Sequence, residues 1–590
     1  MFGWFKRKPQ PGPNANPEPK PAVEDATLAA INALAAAGDH AGAIARAEAA
    51  LCERPDASAL HHALGRSLTA ADRITEARAA LERATDLDPE LVPAHVLLAR
   101  LARLEHDVET ARDHLELASH YAPDDPEVLL ELGRVAAAQG DVSGARRAFE
   151  RAVEVAPEAH DGHLELAYVC EREGRKAEML EHAERVIAAV PESVEASDVM
   201  RRALFALDRW EEALPYAESV VARTPATLVG PRLNLGNVYL HLGRFDEAGG
   251  MYTRVLEREP ASFEARWNRA HHLLASARFR EGWRDYAYRF ASLAILRRPL
   301  PFPDWRGEPL EGKTLLVYAE QGLGDEIMFA SCLPEIIAKA RHCVIESDRR
   351  LVSLFRRSFP NTTVVARPED DDAIPWLKDL PPVDLQVAAG TLPSYLRNDW
   401  TDFPAHSGYL KADHENVTQW RARLDALGPG LKVGLSWRGG TQLTRTSARS
   451  LPLADLGGAL TGSGRHFVSL QYGKVDEDIG AARAAGIENI VHWPNAIADY
   501  DETAALVSAL DIVVSVQTSL IHLTGALGRP VWVMVPAVPE WRYLRGGDRM
   551  PWYPAARIFR QRRLRDWSEV LGDIARALDT LESGAYRPAR

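Results

Sequence analysis

The stretch AEQGLGDEIMFASCLPEII, Ala319–Ile337, follows an apolar run, TLLVY (Thr314–Tyr318), turns through Gly322-Leu323-Gly324-Asp325, and resumes apolar residues at helical spacing. A β-like run, a glycine turn and a helical period in that order predict a strand feeding a helix. The glycines either close off the strand or bring a ligand close to backbone. Around this turn, apolar runs alternate with helical patterns: TLLVYAE, CVIES, TTVVA, VDLQVAA, then LKVGLSW, HFVSLQ, DIVVSVQ and PVWVMVP. Such alternation predicts parallel sheets covered by helices. The helical HENVTQWRARLDALGPG (His414–Gly430) divides the runs into two sets, so two Rossmann-like lobes are expected, closed by the helix DWSEVLGDIARALDTLES (Asp566–Ser583).

Gly-Leu-Gly-Asp is then the first strand-to-helix turn of the first lobe, and open α/β sheets bind ligands at such carboxyl ends. It is not the dinucleotide fingerprint, because Ile327 stands where a third glycine is needed, and it lacks the Gly-Lys-Ser/Thr of a P-loop. Asp325 is either a cap and dipole partner at a helix start or part of a site.

The first half repeats instead. Prolines recur at Pro55, Pro89, Pro123, Pro157, Pro191, Pro225 and Pro260, 34 residues apart five times and then 35. Small residues hold fixed offsets before them (Ala43, Ala77, Ala111, Ala145, Ala213, Ala248), and a second set lies seven further on (Ala50, Ala84, Ala118, Ala152). Met179 and Val186 break the pattern in one repeat. Each unit reads as two amphipathic helices with the proline between units. A lone pair cannot bury its apolar face, so the units must stack. An eighth unit ends near FREGWRDYAYRF (Phe279–Phe290), and the extended RRPLPFPDWRGEPLEGK (Arg297–Lys313) follows.

The 590 residues are too many for one core. A net charge of −13 argues against nonspecific nucleic-acid binding. Four scattered cysteines without CxxC spacing suggest reduced thiols in a cytosolic protein. No apolar run reaches membrane-spanning length. MFGWFKRKP is too short for a signal peptide; a weak membrane-surface contact or a disordered tail are its two readings, and the unpackable PQPGPNANPEPKP favours the tail.

The repeating half resembles tetratricopeptide repeats, most closely in RLNLGNVYLHLGRFDEA (Arg232–Ala248). The resemblance implies a superhelix whose concave groove binds peptide or protein; a spacer is the alternative. Asn234 and Asn268 occupy equivalent places in the last two repeats. In the repeat domain of O-GlcNAc transferases, asparagines at this position line the groove and hold acceptor backbone, which suits an amide that both donates and accepts. The same slot earlier holds Ala63, Leu97, Glu131, Glu165 and Val199, so the acceptor-binding expectation covers only Asn234 and Asn268. Solvated asparagines are the alternative.

In the second half AEQGLGDEIMFASCLPEI, VGLSWRGG, RSLPLADL, FVSLQYG, SVQTSLIHLTGALGRPVW and MPWYPAARIFRQ occur in this order. Together they resemble the glycosyltransferase half of bacterial tetratricopeptide–glycosyltransferase fusions, which is similar to lipopolysaccharide heptosyltransferases of the GT-B fold. Some fusions of this layout glycosylate flagellin. The expected layout is a disordered Pro-rich tail (1–23), an all-α repeat superhelix (24–295), a linker (296–313), a GT-B acceptor-side lobe (314–413), a GT-B nucleotide-sugar lobe (414–565), and a terminal helix and tail (566–590).

The heptosyltransferases resembled have an aspartate in a similar Gly-Asp turn, proposed as the base that takes the acceptor hydroxyl proton. That match falls on Asp325, with Gly322 and Gly324 beside the donor; neighbouring Glu326 diverges by about 100° on a helix and is the second choice. For the leaving group, Gln517 ends a strand and Thr518 or Ser519 caps a helix whose free N–H groups can cradle phosphate. His522 lies in its first turn and is either part of that cradle or a packed core histidine. Arg438 and Arg445 can reach phosphate or a sugar acid, Arg449 either joins them or pairs structurally, and Gln471 is placed at the nucleotide base. No metal or cofactor is expected. PEDDDA (Pro368–Ala373) contains Asp-x-Asp but reads as a solvated acidic loop.

Two departures from the family are visible. Relatives usually have Asp where this chain has Gln517, and often His and Asp after Trp-x-Gly, where equivalent spacing gives Leu443 and Thr446. Acid is lost and arginine kept, which fits an anionic donor such as a nonulosonic acid on CMP. The expected function is a metal-independent, inverting, cytosolic protein O-glycosyltransferase with flagellin as acceptor. A non-catalytic repeat scaffold and a glycolipid heptosyltransferase-like enzyme are the alternatives.

Overall fold

The computed structural model describes residues 22–291, 297–369, 375–440, 446–460 and 464–582. Arg445, Leu443, the three aspartates of PEDDDA and the MFGWFKRKP segment lie outside the described residues. The chain forms two compact units, Met1–Val220 and Val221–Arg590.

The first unit is helical. Its helices run in antiparallel pairs from Ala22–Ala36 with His40–Glu53 to Val194–Ala206 with Trp210–Arg223, the last of which ends just past the boundary. Aspartates fix several second-helix starts: the carboxylates of Asp39, Asp107 and Asp141 accept from the backbone N–H of Gly42, Thr110 and Gly144. The repeated small residues are interior, with Ala43, Ala77, Ala111 and Ala145 fully buried. Gly133 has the same cause: a Cβ there would lie 2.3 Å from the Phe149 ring. Glu131 is buried and gathers Arg100 (2.9 Å), Arg103 (3.1 Å) and Arg134 (2.8 Å), while Arg134 also reaches Glu165 at 2.6 Å. Burial opposes ionisation of Glu131, but the three guanidinium groups outweigh it and hold the carboxyl below its ordinary range.

The second unit opens with two more helix pairs, Gly230–His241 with Phe245–Arg258 and Phe263–Ala275 with Phe279–Tyr286. The described helices thus make eight pairs, and the last two share a compact unit with the sheets. Ten strands follow: β1 (Thr314–Tyr318), β2 (His342–Ser347), β3 (Thr363–Ala366), β4 (Leu385–Ala388), β5 (Leu431–Ser436), β6 (Arg465–Ser469), β7 (Ile490–His492), β8 (Ile512–Val516), β9 (Val531–Val535) and β10 (Ala556–Arg560). They form a four-stranded sheet ordered β3-β2-β1-β4 and a six-stranded sheet ordered β10-β9-β8-β5-β6-β7. Every strand pairing within them is parallel. The two strands that the sequence reading omits, β7 and β10, are the edges of the larger sheet, where one neighbour is missing and the apolar run is shorter or interrupted. The helix His414–Asp425 separates the two sheets in sequence, and Ser568–Glu582 closes the described chain.

In both sheets the strand order reverses near the centre, while the strands stay parallel. In the first, β2 and β4 flank β1; in the second, β6 and β8 flank β5. Crevices at the carboxyl ends of such switch points are where open parallel sheets accept ligands. The turns after β1 and β8 both lie at these ends.

Candidate functional site

After β1 the chain enters the helix Leu323–Phe329, with Gly322 as its N-cap. The N–H groups of Asp325 and Glu326 donate to the Gly322 carbonyl at 2.9 and 3.0 Å. Gly324 is a contact point: a Cβ there would lie 3.0 Å from His522 Cδ2 and 3.2 Å from Ser519 Cα. Ser519 begins the helix Ser519–Ala526, which follows β8. What presses on the glycine is therefore the helix of the second sheet, and the two strand-to-helix turns abut there.

Asp325 sits in the first helical turn with its carboxylate across this seam. Its Oδ1 accepts from Arg542 Nε at 3.0 Å and also from Nη2. Its Oδ2 accepts no hydrogen bond among the described residues. Arg542 belongs to a short helical turn, Trp541–Tyr543, between β9 and β10. Burial works against its charge, but Asp325 and Glu540 beside it raise its pKa well above the ordinary range. Glu540 also lies 3.6 Å from Arg449, whose guanidinium donates to the Gln517 carbonyl. Two arginines bridged by one glutamate thus stand at the carboxyl end of β8.

The other donor-side expectations separate. Thr518 is the N-cap of Ser519–Ala526 but makes no side-chain cap; its hydroxyl lies 3.2 Å from Ser515 Oγ. Gln517 is fully buried, and neither polar atom of its side-chain amide has a partner among the described residues. His522 is a packed histidine: Nδ1 lies 3.1 Å from the Tyr553 hydroxyl, and Tyr543 and Tyr553 flank the ring. Burial, with Arg542 and Arg449 close by, drives its imidazole far below the usual range, so it is neutral. Gln471 is spent on structure. Its Oε1 accepts from Ser436 Oγ and from the N–H groups of Trp437 and Arg438, and its Nε2 donates to the carbonyls of Arg438 and Tyr472. Arg438 turns to Asp478 (3.0 Å) and the Lys474 carbonyl. Among these residues the structure brings Gly324, Ser519 and His522 to Asp325, whereas Arg438 and Gln471 cluster at the end of β5.

Glu326 points elsewhere. It is buried, and its Oε2 accepts from the Asp348 N–H at 2.9 Å. Burial pushes its carboxyl up to about 8, so it is protonated at neutral pH.

Of the repeat asparagines, Asn268 donates from Nδ2 to Asn237 Oδ1 (2.8 Å), which also accepts from the Tyr252 hydroxyl (3.0 Å). Asn234 is half-buried and makes no side-chain hydrogen bond among the described residues. The helix Phe279–Tyr286 and the short 3-10 turn after it, Ala287–Ala291, hold the β1 turn. The Tyr286 hydroxyl donates to Gln321 Oε1 at 2.8 Å, and Arg289 pairs with Glu320 at 3.1 Å in a buried contact. Tyr286 also packs on Trp541, the neighbour of Arg542.

Sequence reasoning missed Arg542, Tyr286 and Arg289. Their partners lie 217, 35 and 31 residues away, beyond any local pattern.

Models of the tetratricopeptide repeat match residues 34–101, 96–146, 130–194 and 232–262. These helix pairs are tetratricopeptide repeats. A curated relative, Protein FlbA of Caulobacter vibrioides, is 35% identical over 368 residues, which is 59% of this chain and 59% of FlbA. The chain thus spans about three fifths of the length of the relative it matches. Among solved structures, the APC/C hetero-tetramer Cut9–Hcn1 is similar at a TM-score of 0.39 and 16% identity, covering 42% of this chain and 49% of that one. YrrB, described as a tetratricopeptide repeat protein with an unusual peptide-binding site, is similar at a TM-score of 0.28 and 19% identity, covering 32% of this chain and 96% of that one.

Proposed function

We propose that this protein is a protein O-glycosyltransferase of GT-B type. It moves a sugar from a nucleotide donor to a serine or threonine of a protein held by the tetratricopeptide repeats, with flagellin as the acceptor. One observation carries the reading: Asp325 stands at the carboxyl edge of β1, facing the helix that follows β8, with one oxygen fixed by Arg542 and the other without a hydrogen-bond partner among the described residues.

In this reading Oδ2 takes the proton of the acceptor hydroxyl, and Arg542 on Oδ1 holds the carboxylate in place. The acceptor oxygen bonds to the anomeric carbon as the bond from that carbon to the donor phosphate breaks. The nucleotide leaves with the bonding pair, and inversion follows from attack opposite the leaving group. Its negative charge meets Arg449, Arg542 and the first N–H groups of Ser519–Ala526. The lobe 314–413 takes the acceptor and the lobe 414–565 the donor. Among the described residues, Arg449 and Arg542, each also paired with a carboxylate, meet the acidic sugar on CMP at the carboxyl end of β8, while Arg438 is turned to Asp478.

The test is mass spectrometry of flagellin from cells carrying the wild type, Asp325→Asn or no copy of the protein. Loss of a sugar mass in the last two supports the reading; equal modification in all three overturns it. A non-catalytic scaffold is the second reading, favoured by the contact that neutralises Asp325. It predicts modification by Asp325→Asn equal to wild type and loss only on deletion.

A further inference from the structure

We propose that the first compact unit carries two equivalent sites for a borderline divalent transition cation of the Ni²⁺ or Cu²⁺ type, one at His95 with His114 and one at His163 with His182.

Each site joins the two helices of one repeat. His95 Nδ1 lies 3.1 Å from His114 Nδ1, and His163 Nδ1 lies 3.0 Å from His182 Nδ1, each pair 19 residues apart in sequence. The second pair repeats the first two repeats later, with ring centroids 5.3 Å apart against 5.4 Å. The ring on the first helix is oriented from behind: His95 Nε2 lies 3.1 Å from the Pro89 carbonyl, and His163 Nε2 lies 3.3 Å from the Pro157 carbonyl. A carbonyl only accepts, so Nε2 carries the proton of the neutral ring and the Nδ1 lone pair faces the partner histidine. Ligating histidines are held by such a backbone contact on the far nitrogen.

Two nitrogens at this separation, each about 2.0–2.1 Å from one ion, subtend about 95°. That angle suits the square-planar or octahedral positions of Cu²⁺ or Ni²⁺ better than a tetrahedral pair, and imidazole is a preferred ligand of both. His114 and His182 need only move their proton from Nδ1 to Nε2, with no net proton lost. His114, His163 and His182 are partly exposed, which leaves an entry path and room for water to complete the ion's coordination. Arg78 and Arg146 stand near the two sites, but each is paired with glutamate, Arg78 with Glu105 and Arg146 with Glu150, Glu173 and Glu178. Among the described residues no group of three or more His, Cys, Asp or Glu gathers, so each site offers two protein ligands. Repeat two is a natural control: His61 has the same carbonyl contact, at 2.8 Å to Pro55, but Ala80 stands where the partner histidine would be.

The test is calorimetric titration of the full-length, metal-free chain with Ni²⁺. Two saturable equivalents are expected for wild type and for His61→Gln, one for His114→Gln or His182→Gln, and none above background for the double variant. Ala80→His completes the pair in repeat two and is expected to raise the count to three, a gain that unfolding cannot mimic. No saturable uptake by wild type, or uptake unchanged in the double variant, overturns the proposal.

Discussion

Asp325 and Arg542, 217 residues apart, meet through Oδ1 and Nε at 3.0 Å, and this contact joins the turn after β1 of one sheet to the segment after β9 of the other. Both side chains are less than one-fifth exposed. Removing one partner strands the other charge in poor solvent, which typically costs roughly 3–5 kcal/mol for a buried pair. Arg542→Ala is expected to lower stability by about 3 kcal/mol, and Asp325→Ala by a similar amount. The double variant is expected to lose less than the sum of the two. Urea unfolding of all four proteins checks this, and additive losses would show that the pair is not coupled.

Gly324 is expected to reject even a methyl group. In Gly324→Ala the new Cβ would press on the Ser519 backbone, which cannot swing aside as a side-chain end would. Overpacking of this kind costs about 1–3 kcal/mol. Gly322→Ala, whose Cβ would meet only Asp325 Oδ2 at 3.6 Å, is the control and is expected to be nearly neutral. A thermal melt of both variants distinguishes a close helix contact from a general need for glycine in the turn.

Glu326 gives a pH dependence of definite sign. Its folded pKa, about 8, lies above the ordinary 4.5 because of burial. A raised folded pKa means stability fully present below 4.5 and lost as pH rises through about 8. Each pH unit between the two values is about 1.4 kcal/mol. Glu326→Gln keeps an oxygen to accept from Asp348 and removes the titration. The variant is expected to gain on wild type steadily from pH 5 to about pH 8 in denaturant midpoints and to level off above it. A constant difference across that range would place the titration elsewhere.

Glu131 anchors three arginines inside the first unit. Glu131→Ala leaves Arg100 and Arg103 without this counter-charge, while Arg134 keeps Glu165, and is expected to destabilise by roughly 3–5 kcal/mol. Changing Glu131 to Met fills the space but not the charge, and is expected to be nearly as damaging as long as the arginines remain. Circular dichroism melts of the two variants provide the comparison; recovery in the Met variant would mean that packing, and not charge, is what Glu131 supplies.

For the proposed donor, Arg449→Ala is expected to weaken a CMP-linked nonulosonic acid more than CMP, by roughly 1–3 kcal/mol for an unpaired partly buried carboxylate. Arg438→Ala is expected to affect both ligands alike, because Asp478 and the Lys474 carbonyl already occupy its guanidinium. Calorimetry with CMP, the CMP-sugar and ADP-heptose decides; preferential binding of ADP-heptose by wild type would rule out the acidic donor.

The sequence alone determined what depends on local period. The 34-residue spacing of prolines and the buried alanines at fixed offsets specify stacked helix pairs, because each pair must hide the same face against the next. The alternation of apolar runs with helices specified the two parallel sheets and placed Gly322, Gly324, Asp325, Thr518 and Ser519 at strand-to-helix turns, as found. Tertiary structure decided everything set by distance through space. It turned Gln471 into a scaffold for the end of β5, packed His522 between tyrosines, and sent Arg438 to Asp478. It gave Asp325 a partner, Arg542, that no periodicity announces, and it made Gly324 the point where two helices touch. The reason is physical: a period reports which face of an element is buried, while a side chain's partner depends on how separate elements pack, and that is fixed only when the chain closes on itself.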